Sequence, residues 1–330
     1  MNLLPAHPKN THAVVVGAGT MGADVAVVLA RGGCRVTVVD PHEGRREALA
    51  SHVHAALQPL GLARRADRVR AVAALGNVSW AEVALVVECI PENLALKQQL
   101  FAELLPLAPP AAVLTSNSSS FPISAIAQGL PTRARMLGLH FFMPAHLVPL
   151  VEVVMGPDSE LAQAHNLCAY MRGCGSVPVL VRKDKPGFLA NRLQHALARE
   201  AFAMIDEGVA TAEDVDAAVR FGFGFRYLAA GPVLQRDHAG LDVHCAAAAT
   251  MYPTLSNQAE PARVLREHVA AGRLGMKAGA GFYDWPPERR QAEQARYNGL
   301  LRQGLALLAA DLPPLDLDDS QDITPESASA

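Results

Sequence analysis

Residues 12–40, HAVVVGAGTMGADVAVVLARGGCRVTVVD, decide the fold of this chain. A short apolar run, His12 to Val16, meets Gly17, Gly19 and Gly22 in a G-x-G-x-x-G spacing. A helical stretch then closes on Gly32-Gly33, and a second apolar run ends in Asp40. Three glycines alone would carry little weight. A strand, a glycine-rich turn, a helix and a strand with a terminal acid, in that order, make the dinucleotide fingerprint. The glycines let the backbone approach a pyrophosphate at the helix N-terminus. Asp40 stands where a carboxylate accepts hydrogen bonds from the adenosine ribose and repels a 2′-phosphate, which selects NAD over NADP. Arg45 and Arg46, just downstream, weigh the other way.

Beyond this unit, residues 41–76 read as an Arg-rich helical pattern broken at Pro59 and Gly61 into a helical hairpin. Arg64, Arg65, Arg68 and Arg70 fall on what the pattern makes a solvated helix face. The sheet resumes with ALVVEC, and a helix, the strand AVLTSN and the turn SNSSSFPIS follow. Glu92, Lys97, Asn117, Ser118 and Ser119 lie near strand ends, where parallel sheets bind ligands. The serines by themselves fit a capped turn equally well.

Residues 136–154, MLGLHFFMPAHLVPLVEVV, read as two short buried strands joined by a Pro-containing turn. His140 sits near the end of the first and Glu152 in the second. Burying either alone is costly, and a turn that brings them together offsets the cost. Such a pair is either a core ion pair or an apparatus for moving a proton near neutral pH.

One more helix and the strand VPVLVRKD complete this domain near Asp184. From Pro186 the strands stop and helical patterns run to about residue 310, one of them opened by a Thr211–Asp214 capping box. The fold class is thus an α/β Rossmann-type dinucleotide-binding domain, residues 1–184, followed by an all-α C-terminal domain, 185–310. Residues 311–330 are acidic, rich in Pro and Ser, and read as a disordered tail.

The 330 residues are enough for two domains with a substantial core. Half of them are hydrophobic and the net charge is −3, a balance that gives no basic excess for nucleic acid. The opening MNLLPAHPKN is too short and polar for a signal peptide, and no apolar run approaches a membrane span, so a cytoplasmic location is expected. The five cysteines are odd in number and form no C-x-x-C pair, which points to free thiols. No metal set stands out: His52 and His54 are two apart on a helix and face different sides, and His146 reads as a solvated loop histidine.

The motifs GAGTMG, VVECIPENLALK, SNSSS, GLHFF followed by PLVEV, KDKPGFLANR and GMKAGAGFYDW resemble those of the L-3-hydroxyacyl-CoA dehydrogenase family over about residues 11–285. The resemblance implies reversible, NAD-dependent oxidation of the hydroxyl of a 3-hydroxyacyl-CoA or 3-hydroxy acid, as in fatty acid metabolism. It also implies a homodimer formed through the helical domain. In the family's terms His140 is the general base and Glu152 orients it, while Ser119 and Asn191 hydrogen-bond the substrate oxygen. Gly17, Gly19, Thr20, Met21, Gly22, Asp40, Glu92, Lys97, Asn117 and Lys277 fall where the family contacts NAD.

Three features depart from that pattern. Met143 replaces an Asn that normally contacts the nicotinamide end. The chain is shorter between Asp40 and Glu88, in the hairpin that holds the CoA. MPAHLVPLVEV is similar to relatives that act without CoA: L-gulonate dehydrogenase (lambda-crystallin), L-carnitine dehydrogenase and a pyridine-carboxylate dehydrogenase of vitamin B6 breakdown. Arg226 occupies a similar place in such relatives and is either a partner for a free substrate carboxylate or a helix-end surface charge.

Two other readings stand beside this one. A dehydrogenase of the 6-phosphogluconate type relies on a lysine base, and Lys97 is the lysine nearest the site. A non-catalytic, crystallin-like NAD-binding protein would not need to keep Ser119, His140, Glu152 and Asn191 together.

Overall fold

Eight strands form one sheet in the computed structural model, which describes residues 3–318. They are β1 (His12–Val16), β2 (Arg35–Val39), β3 (Val69–Val72), β4 (Val83–Glu88), β5 (Val113–Ser116), β6 (Met136–Phe141), β7 (Leu150–Met155) and β8 (Val177–Val181), in the order β3-β2-β1-β4-β5-β6-β7-β8. Every neighbouring pair is parallel except β6 and β7, which are antiparallel.

Period-two alternation sends side chains to opposite faces of a strand. Val14, Val16, Val86 and Leu114 join one apolar cluster, and Ala13, Val15, Leu85, Val87 and Val113 join the other. Both faces are dry because helices cover both, so the inner strands are apolar throughout. Helices α1 (Thr20–Arg31) and α5 (Leu161–Gly173) pack into the second cluster, while α3 (Leu94–Leu104) and the turn α4 (Ile123–Ile126) pack into the first.

The helical hairpin expected over residues 41–76 is not formed. Helix α2 (Glu43–Leu57) runs into 3-10 turns at Gln58–Leu60 and Ala63–Arg68, and Val69–Val72 pairs with β2 as the edge strand β3. A β-branched segment gains more from an open sheet edge than from helix propensity. The arginines are a solvated face only in part: Arg64 and Arg70 are exposed, as expected, and Arg68 is half-buried. Arg65 is buried, donating to the carbonyls of Arg31 and Asp316; Arg68 donates to Gly33 O at 3.1 Å and Arg70 to Thr37 Oγ1 at 3.1 Å. Arg65 and Arg68 thus satisfy backbone carbonyls at the end of α1 and just beyond it.

The described residues up to Leu189, with those from Asp311 onward, form one unit, and Ala190–Ala310 form the second. The second unit is helical: α6 (Ala190–Asp206), α7 (Ala212–Ala218), α8 (Gly224–Arg226), α9 (Pro232–Ala239), α10 (Leu241–Met251), α11 (Arg263–Ala270) and α12 (Pro287–Leu307). Thr211 and Asp214 form the reciprocal capping box of α7. The tail expectation differs in part. Leu315 packs against the core of the first unit, and Lys9 Nζ meets Asp316 Oδ2 at 3.1 Å; residues 319–330 lie outside the described range. All five cysteines are free thiols. Among the described residues no helix is long and apolar enough to cross a membrane.

Candidate active site

The carboxyl ends of β1, β2, β4, β5 and β6 carry Gly17, Asp40, Glu88, Asn117 and His140 within or just after the strand, the edge of such a sheet where ligands bind. The turn after β1 needs glycine for two different reasons. A Cβ on Gly22 would stand 1.7 Å from Gly17 O, so the helix and the turn can close only without one. At Gly19 nothing lies within 4 Å of where a Cβ would be, leaving bare backbone before α1. No side chain caps the start of α1 and its first turn holds no acid. Unsatisfied N–H groups with open space before them suit a pyrophosphate. Thr20 and Met21 form the first turn beside them.

Asp40 is buried, accepting from Ala18 N at 2.7 Å and His42 N at 2.8 Å, with Arg45 Nη1 at 3.5 Å. Burial pushes its carboxyl up, but these N–H donors and the arginine outweigh it and hold the group below its ordinary value. The acid is therefore fixed in its charged form at the end of β2. Arg45 and Arg46 are turned onto it and its backbone, Arg46 donating to Asp40 O at 2.9 Å.

Glu88, which the sequence motifs do not single out, is fully buried at the end of β4. Lys97 answers it at 2.7 Å, and Ser116 Oγ and Ile90 N also donate to it. Lys97 Nζ further contacts Glu92 Oε2 at 3.2 Å and Ile90 O at 3.3 Å, so its three protons are engaged by protein groups. A lysine so committed makes a poor free base. An acid alone in an apolar strand, with a lysine nine residues on in the next helix, is the signal that could have found the pair.

The serine turn divides its labour. Ser118 Oγ donates to Glu92 Oε1 at 2.6 Å and accepts from Phe121 N, the capped-turn role. Ser119 is exposed, its Oγ 3.1 Å from His140 Nε2. Asn117 Oδ1 accepts from Phe141 N at 2.9 Å, tying the turn to the strand that bears the histidine.

His140 and Glu152 are directly opposed across the β6–β7 ladder, so register alone brings the side chains together. His140 Nδ1 donates to Glu152 Oε2 at 2.8 Å, and both residues are buried. Glu152 Oε1 accepts from Leu189 N at 3.0 Å. Phe142 and Phe188 stand edge-on to the imidazole, with ring centroids 4.6 and 5.4 Å away. A carboxylate on Nδ1 places the proton there and leaves the Nε2 lone pair toward Ser119. The arrangement is Ser–His–Glu, with the imidazole held by Glu152 on one side and facing Ser119 on the other.

The remaining predicted residues are placed as follows. Asn191 lies in the first turn of α6 and Lys277 in the short turn Met276–Ala278, both in the second unit. Met143 is exposed. His146 is not a solvated loop histidine: its side chain is largely covered and its Nδ1 lies 2.8 Å from buried Asp24 on α1, because the β6–β7 turn folds onto that helix.

Family models of the 3-hydroxyacyl-CoA dehydrogenase NAD binding domain and C-terminal domain match residues 12–185 and 187–285. The 5-formyl-3-hydroxy-2-methylpyridine 4-carboxylate 5-dehydrogenase of Mesorhizobium japonicum is 32% identical over 85% of this chain and 93% of its own. A crystal structure of a dehydrogenase of that name, described as an NAD+ dependent dismutase, is 30% identical, covers 90% of this chain and 98% of that one, and has a TM-score of 0.84. The (S)-3-hydroxybutyryl-CoA dehydrogenase of Ralstonia eutropha is 28% identical over 84% of this chain and 100% of that one, with a TM-score of 0.69.

Proposed function

The chain belongs to the 3-hydroxyacyl-CoA dehydrogenase family, NAD-dependent oxidoreductases acting on CH–OH groups, and from that premise we propose that it oxidises, reversibly, a hydroxyl on a small carboxylate substrate that carries no CoA. One observation carries the choice of substrate class. The resemblance implies a helical hairpin that holds the CoA, whereas residues 58–77 here are 3-10 turns and the edge strand β3. The higher TM-score with the pyridine-carboxylate enzyme, 0.84 against 0.69, supports the same choice.

His140 Nε2 takes the hydroxyl proton as the carbon is oxidised, and Ser119 Oγ, 3.1 Å from that nitrogen, holds the substrate oxygen beside it. Glu152 keeps the proton on Nδ1 and stabilises the imidazolium that results. Bound NAD supplies the hydride acceptor. Gly17, Gly19, Thr20, Met21 and Gly22 would hold its pyrophosphate and Asp40 its ribose; for Glu92, Lys97 and Asn117 we carry over the NAD contacts that the resemblance implies. For Asn191 and Lys277 we carry over the roles that the resemblance implies, substrate oxygen and NAD. In reverse, the imidazolium returns its proton as the carbonyl is reduced.

The second unit exposes Phe221, Phe225, Leu241, Val243 and Tyr252, which supports a homodimer through that unit. Free thiols suit a reducing cytoplasm. The test is NADH formation by the purified protein against 3-hydroxybutyryl-CoA, L-gulonate, L-carnitine and hydroxymethyl- or formyl-pyridine carboxylates. Turnover with a free acid is expected; turnover with the thioester alone refutes the substrate class. His140→Ala should abolish turnover while NAD still binds.

A further inference from the structure

Three side chains from three separate segments converge away from the His140–Glu152 pair: Asp24 of α1, His52 of α2 and His146 of the turn between β6 and β7. His52 Nε2 and His146 Nδ1 each lie 2.8 Å from the same oxygen, Asp24 Oδ1. The two rings are perpendicular, with centroids 5.7 Å apart. Asp24 is buried, and its other oxygen accepts from Ala145 N at 2.9 Å, which fixes the plane of the carboxylate. His146 Nδ1 is itself buried and, though close to Asp24, is not aligned to hydrogen-bond it. A buried nitrogen without a hydrogen-bond partner, 2.8 Å from a carboxylate oxygen that a second imidazole also meets, is a donor atom free for a ligand.

We propose that Asp24, His52 and His146 bind one divalent cation of the zinc class. Two imidazoles and one carboxylate are a set that zinc takes, with a fourth position left for water. Nitrogen and oxygen donors including two imidazoles favour zinc, nickel or copper over magnesium and calcium, which prefer all-oxygen shells. Metal–ligand bonds of about 2.0–2.1 Å around a tetrahedral centre put the donor atoms roughly 3.3 Å apart. All three donor atoms already lie within 4.8 Å of one another, so small rotations of the rings open the site. The His52 side chain is 40% exposed, which gives the ion an entry path and the water its place. The Ala145 N–H is the outer partner that orients the carboxylate. Bound there, the ion joins α1, which starts at the glycine loop, to α2 and to the turn that links the His140 strand to the Glu152 strand. Along the sequence His52 has only His54 beside it, because the residues it meets in the fold lie far away in the chain.

The test uses the full chain stripped with chelator and titrated with Zn2+ by calorimetry, with Co2+ as an absorbing probe. Expected are one ion per chain, a visible Co2+ band of tetrahedral intensity and a raised Tm. His52→Gln and His146→Gln should each weaken binding at least roughly tenfold, and His52→Gln, at a half-exposed position, leaves the fold intact. His140→Gln should leave Zn2+ affinity unchanged. Absence of stoichiometric binding, or binding lost in His140→Gln and kept in His52→Gln and His146→Gln, overturns the proposal; in the first case the three residues form an ion-pair clasp only.

Discussion

Glu152→Gln keeps the size of a side chain whose Oε2 lies 2.8 Å from His140 Nδ1 and whose Oε1 accepts from Leu189 N at 3.0 Å. An amide has only one oxygen. With that oxygen kept on Leu189, the NH2 faces Nδ1, which must become an acceptor, and the ring proton moves to Nε2. That nitrogen is the one 3.1 Å from Ser119, so the base has lost its lone pair. With the amide flipped, NH2 and the Leu189 N–H are opposed donors in a buried place, which costs about 1–3 kcal/mol. The first arrangement wins. In serine proteases, changing the triad carboxylate to its amide imposes the same wrong tautomer and lowers kcat about 10⁴-fold. Escape through the flipped form is limited by its own cost and by the lost charge, worth about 10²–10³ in rate. We expect kcat to fall roughly 10³–10⁴-fold, about 4–5.5 kcal/mol at 1.36 kcal/mol per decade. The assay is steady-state NADH formation with the best substrate of the panel, alongside NAD binding by fluorescence and a melting curve. A folded, NAD-binding variant whose kcat stays within about tenfold of the parent would refute the orienting role of Glu152.

Gly22→Ala places a Cβ 1.7 Å from Gly17 O, so α1 must move off the loop; NAD affinity should fall sharply, read by calorimetric titration, and unchanged affinity would argue against the loop as the pyrophosphate site. Lys97→Met leaves Glu88, 0% exposed, without its cation and should cost about 3–5 kcal/mol of stability in urea unfolding; adding Glu88→Gln should restore part of it, and two independent, additive losses would contradict the pairing. His12 is held below its ordinary 6.5 by burial, then by Arg35 and Arg70, so the unfolded chain binds the extra proton more readily. Stability is therefore full above about pH 6.5 and falls as pH drops below it, and His12→Gln should flatten the decline of Tm measured between neutral and mildly acid pH.

Residues 12–40 needed no tertiary context, because strand, glycine turn, helix and acid are each specified by neighbours in the chain. His140 and Glu152 were legible for a related reason: two apolar strands joined by a short turn leave few registers, and burial demands that the two polar groups meet. What local pattern misread was the segment after α2. Val69–Val72 has the look of helix in a run rich in Arg and Ala, yet the open edge of β2 claims it. The serine triplet likewise carried no sign of its division into a turn-capping Ser118 and an exposed Ser119; only the positions of Glu92 and His140 distinguish them.

The sequence by itself determined the dinucleotide-binding sheet, its cofactor and the pairing of His140 with Glu152, since each depends on interactions within a few tens of residues. Tertiary structure alone decided the partners of buried charges that lie far from them in the chain. Arg65 with carbonyls of α1 and the tail, and Asp24 with His52 and His146, are settled by how the sheet stacks its helices, because a buried charge is answered by whatever donor the fold brings within reach.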